Sequence, residues 1–593
     1  MPFTARCVLF WRMKLEGCSM DNALHYRKKL LLPVFATAVV IAFCLRCYGS
    51  YYEEYQSLFL AFLSQALSPG TLFESWYYQS YIAIGALYAR LYRHFPGVEW
   101  ISWLSFLYMF VAGCGIGYVF TQTLKQAGNL LLAAVLLPVA FLLLADSILH
   151  FQNARVAYLI CGSTLLISIF CFYEPSFIRK NRFAFLAINV FYLLGCLSRS
   201  EPGMGMLFLF IPFSLLWHRS LRKTLLAVAL PLSISAGILF YILIDRNLTD
   251  EFHKRIEPDV EMQLTVRRNV VPLSAMKTAA DSMKYEAALN MLWGDPRVLD
   301  EKFLRSLIED APYLSISWKQ VARALTYCAE YTREYAHLLL FSFLFLLFAS
   351  AWLYRKNGKL YALMPLGYFL VFFLAIFVQT YYVKMRPWSF SPYAALLLVS
   401  AALYFFKTAD SRRFFYAGLF LLLLAGIFHH RFVQAGSITE KKIYAYNRAL
   451  YDSVKKIAKD ETLLLNPTSY QSFLSASRPF EVFDYSDFHK LFFYESQLGS
   501  VLPGYREYLM KECSCDVFDF SQFYKYLSDE KYPRTVYALS AQGRMRLIQQ
   551  YLLIIHGFRL EYEEVPGVHL PVLQREFQEP LRLYVLKKHS GKE

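Results

Sequence analysis

The stretch "GNLLLAAVLLPVAFLLLADSILHFQNARVAYLICGSTLLISIFCFY", residues 128–173, decides the fold. It holds two runs of roughly twenty apolar residues, each long enough at about 1.5 Å per residue to cross about 30 Å of hydrocarbon as a helix. A helix is also the form in which such a run satisfies its own backbone in lipid. The joint between the runs, "LADSILHFQNAR" at 144–155, carries Asp146, His150, Asn153 and Arg155. Charges beside hydrocarbon are costly, and they pair, line a cavity or mark a substrate path.

Similar segments recur outward from this pair through the first 431 positions. Spans are predicted over 30–48, 100–122, 128–147, 154–173, 183–197, 203–217, 224–244, 336–354, 360–383, 390–406 and 414–431. Composition agrees: of 593 residues 56% are hydrophobic and 18% charged, with a mean hydropathy of +0.32. A soluble chain carries about 25% charged residues. The formal charge of +16 resides largely in short loops, "IRKNR" at 178–182, "HRSLRK" at 218–223, "RKNGK" at 355–359 and "KTADSRR" at 407–413, and in Arg27, Lys28 and Lys29 near the start. Basic short loops mark the cytoplasmic side, which sets nucleic acid aside as a partner.

The expected fold class is a polytopic α-helical membrane protein with eleven spans and a C-terminal soluble α/β domain. Residues 1–29 form a cytoplasmic N-terminus, and 30–431 form the transmembrane domain. Within it, 49–99 is a first outer loop holding interfacial helices near 55–67 and 78–93; if 55–68 and 77–95 both cross, the count is thirteen. The first apolar segment is too long for a cleaved leader and lacks a small-residue cleavage site, so an anchor is expected. Residues 245–335 form a long outer loop with helical patterns "SMKYEAALNMLW" and "DEKFLRSLIED". Residues 432–593 form an extracytoplasmic domain in which helical stretches alternate with strand-like runs such as "TLLLN", "RTVYAL", "FRLEYEEV" and "LRLYVLKK". Most of the eleven cysteines lie in apolar segments; Cys328, Cys513 and Cys515 are the candidates for a disulfide. No zinc spacing, Walker loop, dinucleotide fingerprint or nucleophile elbow is present.

In this topology acids and bases gather on one face. Glu53 and Glu54 stand in "SYYEEYQSLFLAF" at 50–62, Asp146, His150 and Arg155 at the joint quoted above, Arg199 and Glu201 in "LSRSEPG", and Lys384 and Arg386 in "YYVKMRPW". The middles of the spans are nearly free of charge. A transporter places ionisable groups there, so the pattern favours interfacial chemistry, with a transporter or non-enzymatic scaffold as the alternative.

The order of these features resembles the GT-C superfamily of membrane glycosyltransferases, which includes protein O-mannosyltransferases and aminoarabinose transferases. "YYEEYQSL" takes the position of the family's acidic motif, "SWYYQSYIAIGALYARLYRHFP" resembles its second interfacial helix, "LSRSEPGMGMLFLF" its Thr-Arg-Pro-Glu-Gly turn, and "KMRPWSFSPYAALLLV" its late Arg-rich element. The acidic motif here is Glu-Glu without Asp, and the Pro-Pro-Leu element is absent.

The resemblance implies transfer of a sugar from a polyprenyl-phosphate donor to an acceptor hydroxyl, on a glycan, lipid or protein, at the outer face. That chemistry needs a base at the acceptor, a cation at the departing phosphate and a dry site. Glu53 or Glu54 is the implied base, since adjacent side chains point in different directions. Arg199 leads as phosphate ligand, followed by Arg386 and Arg155. His150, Asp146, Glu201, Arg267 and Arg268 are secondary candidates. No metal ligands are named, and a divalent ion is left open; the lipid-linked sugar enters as substrate, with no separate cofactor. Membrane lipid is the remaining partner. The expected location is a bacterial inner membrane, with the N-terminus cytoplasmic and the C-terminal domain periplasmic.

Overall fold

The computed structural model describes residues 20–52, 82–124, 127–173, 182–248, 278–289, 303, 318–383, 387–408, 411–465, 469, 472–473, 475–481, 490–492, 520–570 and 580–588. Their helices are α1 Met20–Cys47, α2 Ile82–His94, α3 Trp100–Thr123, α4 Asn129–Leu149, α5 Asn153–Tyr173, α6 Arg182–Ser198, α7 Ser200–His218 and α8 Leu221–Leu248. There follow α9 Ala279–Leu289, α10 Trp318–Glu334, α11 Ala336–Asn357, α12 Lys359–Val383, α13 Pro387–Thr408 and α14 Arg412–Ala458. Among the described residues eight helices are long and apolar enough to cross a membrane: α3, α4, α5, α8 and α11 to α14. Shorter apolar helices lie over Leu31–Cys47 and Phe185–Ser198. The protein is a helical membrane protein.

The chain divides into two compact units. The first contains Met1–Ser50, Leu104–Ala236 and Lys319–Ser437. Here α5 and α13 are apolar through their middles and almost wholly buried, as expected of helices surrounded by other helices. Around them α6 and α7 pack on α5, α4 packs on α1 and α13, and α11 packs on α12 and α13. Small residues bring backbones together where lipid supplies no hydrophobic drive. A Cβ on Gly113 of α3 would stand 2.6 Å from Thr37 Cγ2, and one on Gly117 would stand 2.9 Å from Pro33 Cβ. Hydroxyls inside the bundle bond back along their own helices, Thr121 to the Gly117 carbonyl and Ser342 to that of Leu338, which satisfies them without a second helix.

The second unit contains Tyr51–Trp103, Gly237–Trp318 and Ile438–Glu593. Its centre is a mixed five-stranded sheet built from β1 Thr462–Leu465, β2 Lys490–Phe492, β3 Val536–Ala541, β4 Tyr562–Leu570 and β5 Leu581–Leu586, in the order β2-β1-β3-β5-β4. The β2, β1 and β3 strands run parallel, with Leu463 opposite Leu491 and Tyr537. The β5 strand is antiparallel to both β3 and β4. All four residues of β1 are buried, as in a parallel strand covered on both faces. Helix α16 Gln542–His556 packs on β3, and α15 Phe520–Ser528 and α9 pack on α16. Gly557, left-handed at φ 65°, ends α16, and Phe558 N–H returns to the Leu552 carbonyl, an ending that glycine makes readily.

One expectation differs from what is seen. The boundary placed at 432 falls inside α14, which continues to Ala458, and the units divide at Ser437. Cys328 Sγ bonds to Thr380 Oγ1 at 3.7 Å, and the suggested disulfide to Cys513 or Cys515 involves residues that lie outside the described ones.

Candidate functional site

Asp146 stands in the last turn of α4 and Arg155 in the first turn of α5. The chain reverses between them, so residues nine apart in sequence meet. Arg155 Nη1 donates to Asp146 Oδ2, as does Ser391 Oγ from α13. The Tyr335 hydroxyl, at the cap of α11, donates to the same oxygen at 3.4 Å. His150 Nδ1 lies 2.9 Å from Oδ1. Arg155, Asp146, Tyr335, Ser391 and His150 are all buried. A carboxylate ringed by such donors is held in one orientation, with its charge matched by the guanidinium. Helix α14 closes in through Gly436: a Cβ there would stand 3.1 Å from Leu149 Cδ2 and 3.4 Å from His150 Cε1.

One turn beyond Arg155, Tyr158 bonds to Ser389 and interacts electrostatically with Arg199 and Glu201. Arg199 is the extended residue separating α6 from α7, at φ −164° and ψ 135°. Its Nε lies 3.6 Å from Glu201 Oε2. Ser389 and Ser391 on α13, with Arg155 and Tyr158 on α5, thus join the Asp146 group to the Arg199–Glu201 pair. Of the sequence candidates, Asp146, His150 and Arg155 meet directly, and Arg199 and Glu201 pair with each other and act on Tyr158 of the same helix α5. Glu53, Glu54, Arg386, Lys384, Arg267 and Arg268 lie outside the described residues.

Further groups gather at the same ends of the first unit's helices. His337 Nε2 and His429 Nδ1 are 3.0 Å apart, joining α11 to α14. The charge of Asp146 reaches both rings. Tyr48, just past α1, bonds to His430, and Ser437 Oγ donates to the Tyr48 carbonyl at 2.7 Å. Ser50, three residues before Glu53 in the sequence, donates to the Ile148 carbonyl at 2.6 Å. Histidine within an apolar run was a readable signal, because ionisable groups are rare there. Tyr335 and Ser391 carried no sequence signal; only packing brings them to Asp146.

Comparison of the chain with family models, with curated proteins and with solved structures returns no match.

The second unit contains the two residues that precede the acidic pair, Tyr51 and Tyr52. The Tyr51 ring lies 5.3 Å from the Arg478 guanidinium, which stands 4.0 Å over Tyr444. The Tyr52 hydroxyl is 3.3 Å from Ser102 Oγ. Ser102 is part of a cap on α3: Glu99 Oε2 accepts its N–H at 2.6 Å, and the Tyr92 hydroxyl donates to Glu99 Oε1 at 2.7 Å. Burial pushes the Glu99 carboxyl up, and the bonds from Ser102 and Tyr92 pull against that shift. Burial also holds the Tyr92 hydroxyl well above its ordinary value. A lone acid immediately before an apolar helix is the signal that could have found Glu99. Among the described residues no three His, Cys, Asp or Glu side chains gather to hold a metal ion.

Proposed function

We propose that this protein is an integral membrane glycosyltransferase that moves a sugar from a polyprenyl-phosphate donor to an acceptor hydroxyl. The observation that supports it is the buried group of Asp146, His150, Arg155, Tyr335 and Ser391, continued through Tyr158 and Ser389 to Arg199, at helix ends that share one face of the bundle. Such a face suits a donor whose tail lies in lipid and whose phosphate sits at headgroup depth. Arg199 is the phosphate ligand in this reading. Arg155 is committed to Asp146 and orients it, a different task from the one the sequence suggested.

In the reaction the acceptor O–H gives its proton to a carboxylate, Glu53 or Glu54, as its oxygen bonds to the anomeric carbon. The bond from that carbon to the phosphate oxygen breaks, and polyprenyl phosphate departs against Arg199. The outer leaflet of a bacterial inner membrane is the proposed setting.

The test is transfer by the full chain reconstituted with lipid-linked sugars extracted from the source membrane, with release of polyprenyl phosphate as readout. Glu53→Gln or Glu54→Gln is expected to abolish release, and Arg199→Gln to lower it at least about 100-fold. Full release from the double Glu variant would dismiss the base assignment. No release by the wild type from any extracted donor would dismiss the glycosyltransferase reading.

A further inference from the structure

The first unit carries a second charged group at the opposite ends of its helices. Helix α7 ends at His218, and its cap, Arg219, is left-handed at φ 52° and ψ 30°. Glycine is the usual residue in that conformation, and a side chain there costs about 1 kcal/mol. The Arg219 guanidinium lies 5.0 Å from the Tyr361 ring centre and bonds to the Tyr404 hydroxyl. Lys407, in the last turn of α13, donates to the Trp217 carbonyl at 2.7 Å, with its ammonium 3.9 Å over the Trp217 ring. The charges of Arg219 and Lys223 act on Lys407, and those of Lys407 and Lys223 act on His218. Across residues 217–223, 352–361 and 404–413 the sequence places nine Lys and Arg against the single acid Asp410.

Orientation in the membrane accounts for basic loops, and a helix-end carbonyl accounts for one bond from Lys407. Neither accounts for an arginine kept in a glycine conformation, nor for its place two residues from the Trp217 ring on which a half-buried ammonium sits. An anion among them answers both. We propose that this group binds the phosphate of an anionic glycerophospholipid. Arg219, Lys223 and Lys407 are its ligands, with Tyr361 exposed beside them and the buried Trp217 and Tyr404 supporting the two cations from behind. Arginine and lysine between helix ends are suited to phosphate, and basic pockets between membrane helices take anionic headgroups. This site is independent of the proposed sugar transfer.

The experiment titrates the purified full chain, held in phosphatidylcholine-containing micelles, with phosphatidylglycerol and counts bound lipid by native mass spectrometry. The wild type is expected to retain phosphatidylglycerol through dilution. Arg219→Gly is expected to lower its affinity about fivefold or more. Its thermal midpoint in phosphatidylcholine should be unchanged or raised, because glycine fits the left-handed position. The control Arg355→Gln/Lys356→Gln removes two exposed charges from neighbouring chain and is expected to retain the lipid. Wild-type affinity in both Arg219→Gly and Lys407→Gln overturns the proposal. Equal loss in the Arg355/Lys356 control also overturns it, by showing diffuse attraction. Displacement of the lipid by excess inorganic phosphate assigns the site to a soluble phosphate and overturns the lipid as its source.

Discussion

Asp146 and Arg155 each occupy the electrostatically unfavourable end of a helix, an anion in the last turn of α4 and a cation in the first turn of α5. Placed singly, either would weaken its helix; placed together and bonded, each neutralises the other. Removing one leaves an uncompensated buried charge, so Asp146→Ala is expected to cost about 3–5 kcal/mol in reversible unfolding in micelles. The paired change Asp146→Leu/Arg155→Met is expected to recover most of that loss, since apolar replacements of buried pairs are often neutral. If transfer remains absent in the recovered protein, the pair acts in the site beyond holding helices; wild-type transfer would make it structural. At this scale the sequence was readable wherever charge interrupted an apolar run, as at Asp146, His150 and Arg155. It was mute on Tyr335 and Ser391, whose hydroxyls are ordinary in such helices and gain meaning only from a carboxylate contributed by another part of the chain.

Among the elements, α3 shows how local chemistry sets a helix start. Glu99 accepts from Ser102 N–H, and Tyr92 of α2 bonds the other oxygen, so the cap also fixes the preceding helix. Because burial raises the Glu99 carboxyl, the fold favours its protonated form. Its stabilisation is therefore complete below the ordinary glutamate range and is lost as pH rises through the raised value. The thermal midpoint is expected to be lower at about pH 8 than at about pH 5, and Glu99→Gln, which mimics the neutral acid, should remove that part of the difference. Glu99→Ala, which removes the cap, is expected to cost about 1–2 kcal/mol at either pH. An unaltered pH difference in Glu99→Gln would show that other groups produce it. Apolar run lengths located α3, α4, α5 and α11 within a few residues. The course of α14 was hidden, because hydropathy falls at 432 and "QAGS" reads as a break. Gly436 instead faces Leu149 and His150, and Ser437 bonds to Tyr48, so packing carries the helix through.

For the whole molecule, alternating apolar and basic segments were legible from composition, because the bilayer imposes one length and one charge asymmetry on every crossing. The mixed order of the five-stranded sheet was not, since strand neighbours are chosen by contacts distant in sequence. Gly358, between α11 and α12, and Gly567, within β4, both have open space around them and positive φ. Epitope tags inserted at these two points are expected to be read from opposite sides of the membrane in sealed vesicles. Detection of both from one side would refute the assigned crossings. The ion pair at the turn between α4 and α5 also bears on how the chain enters the bilayer during synthesis. A lone Asp or Arg in an apolar run is costly to insert, and less so at a helix end than at the centre of a crossing. Two such residues nine positions apart, on either side of one turn, can leave the translocon together as a neutral hairpin. The expected consequence is that helices α4 and α5 enter lipid together, with the Asp146–Arg155 pair formed as they do.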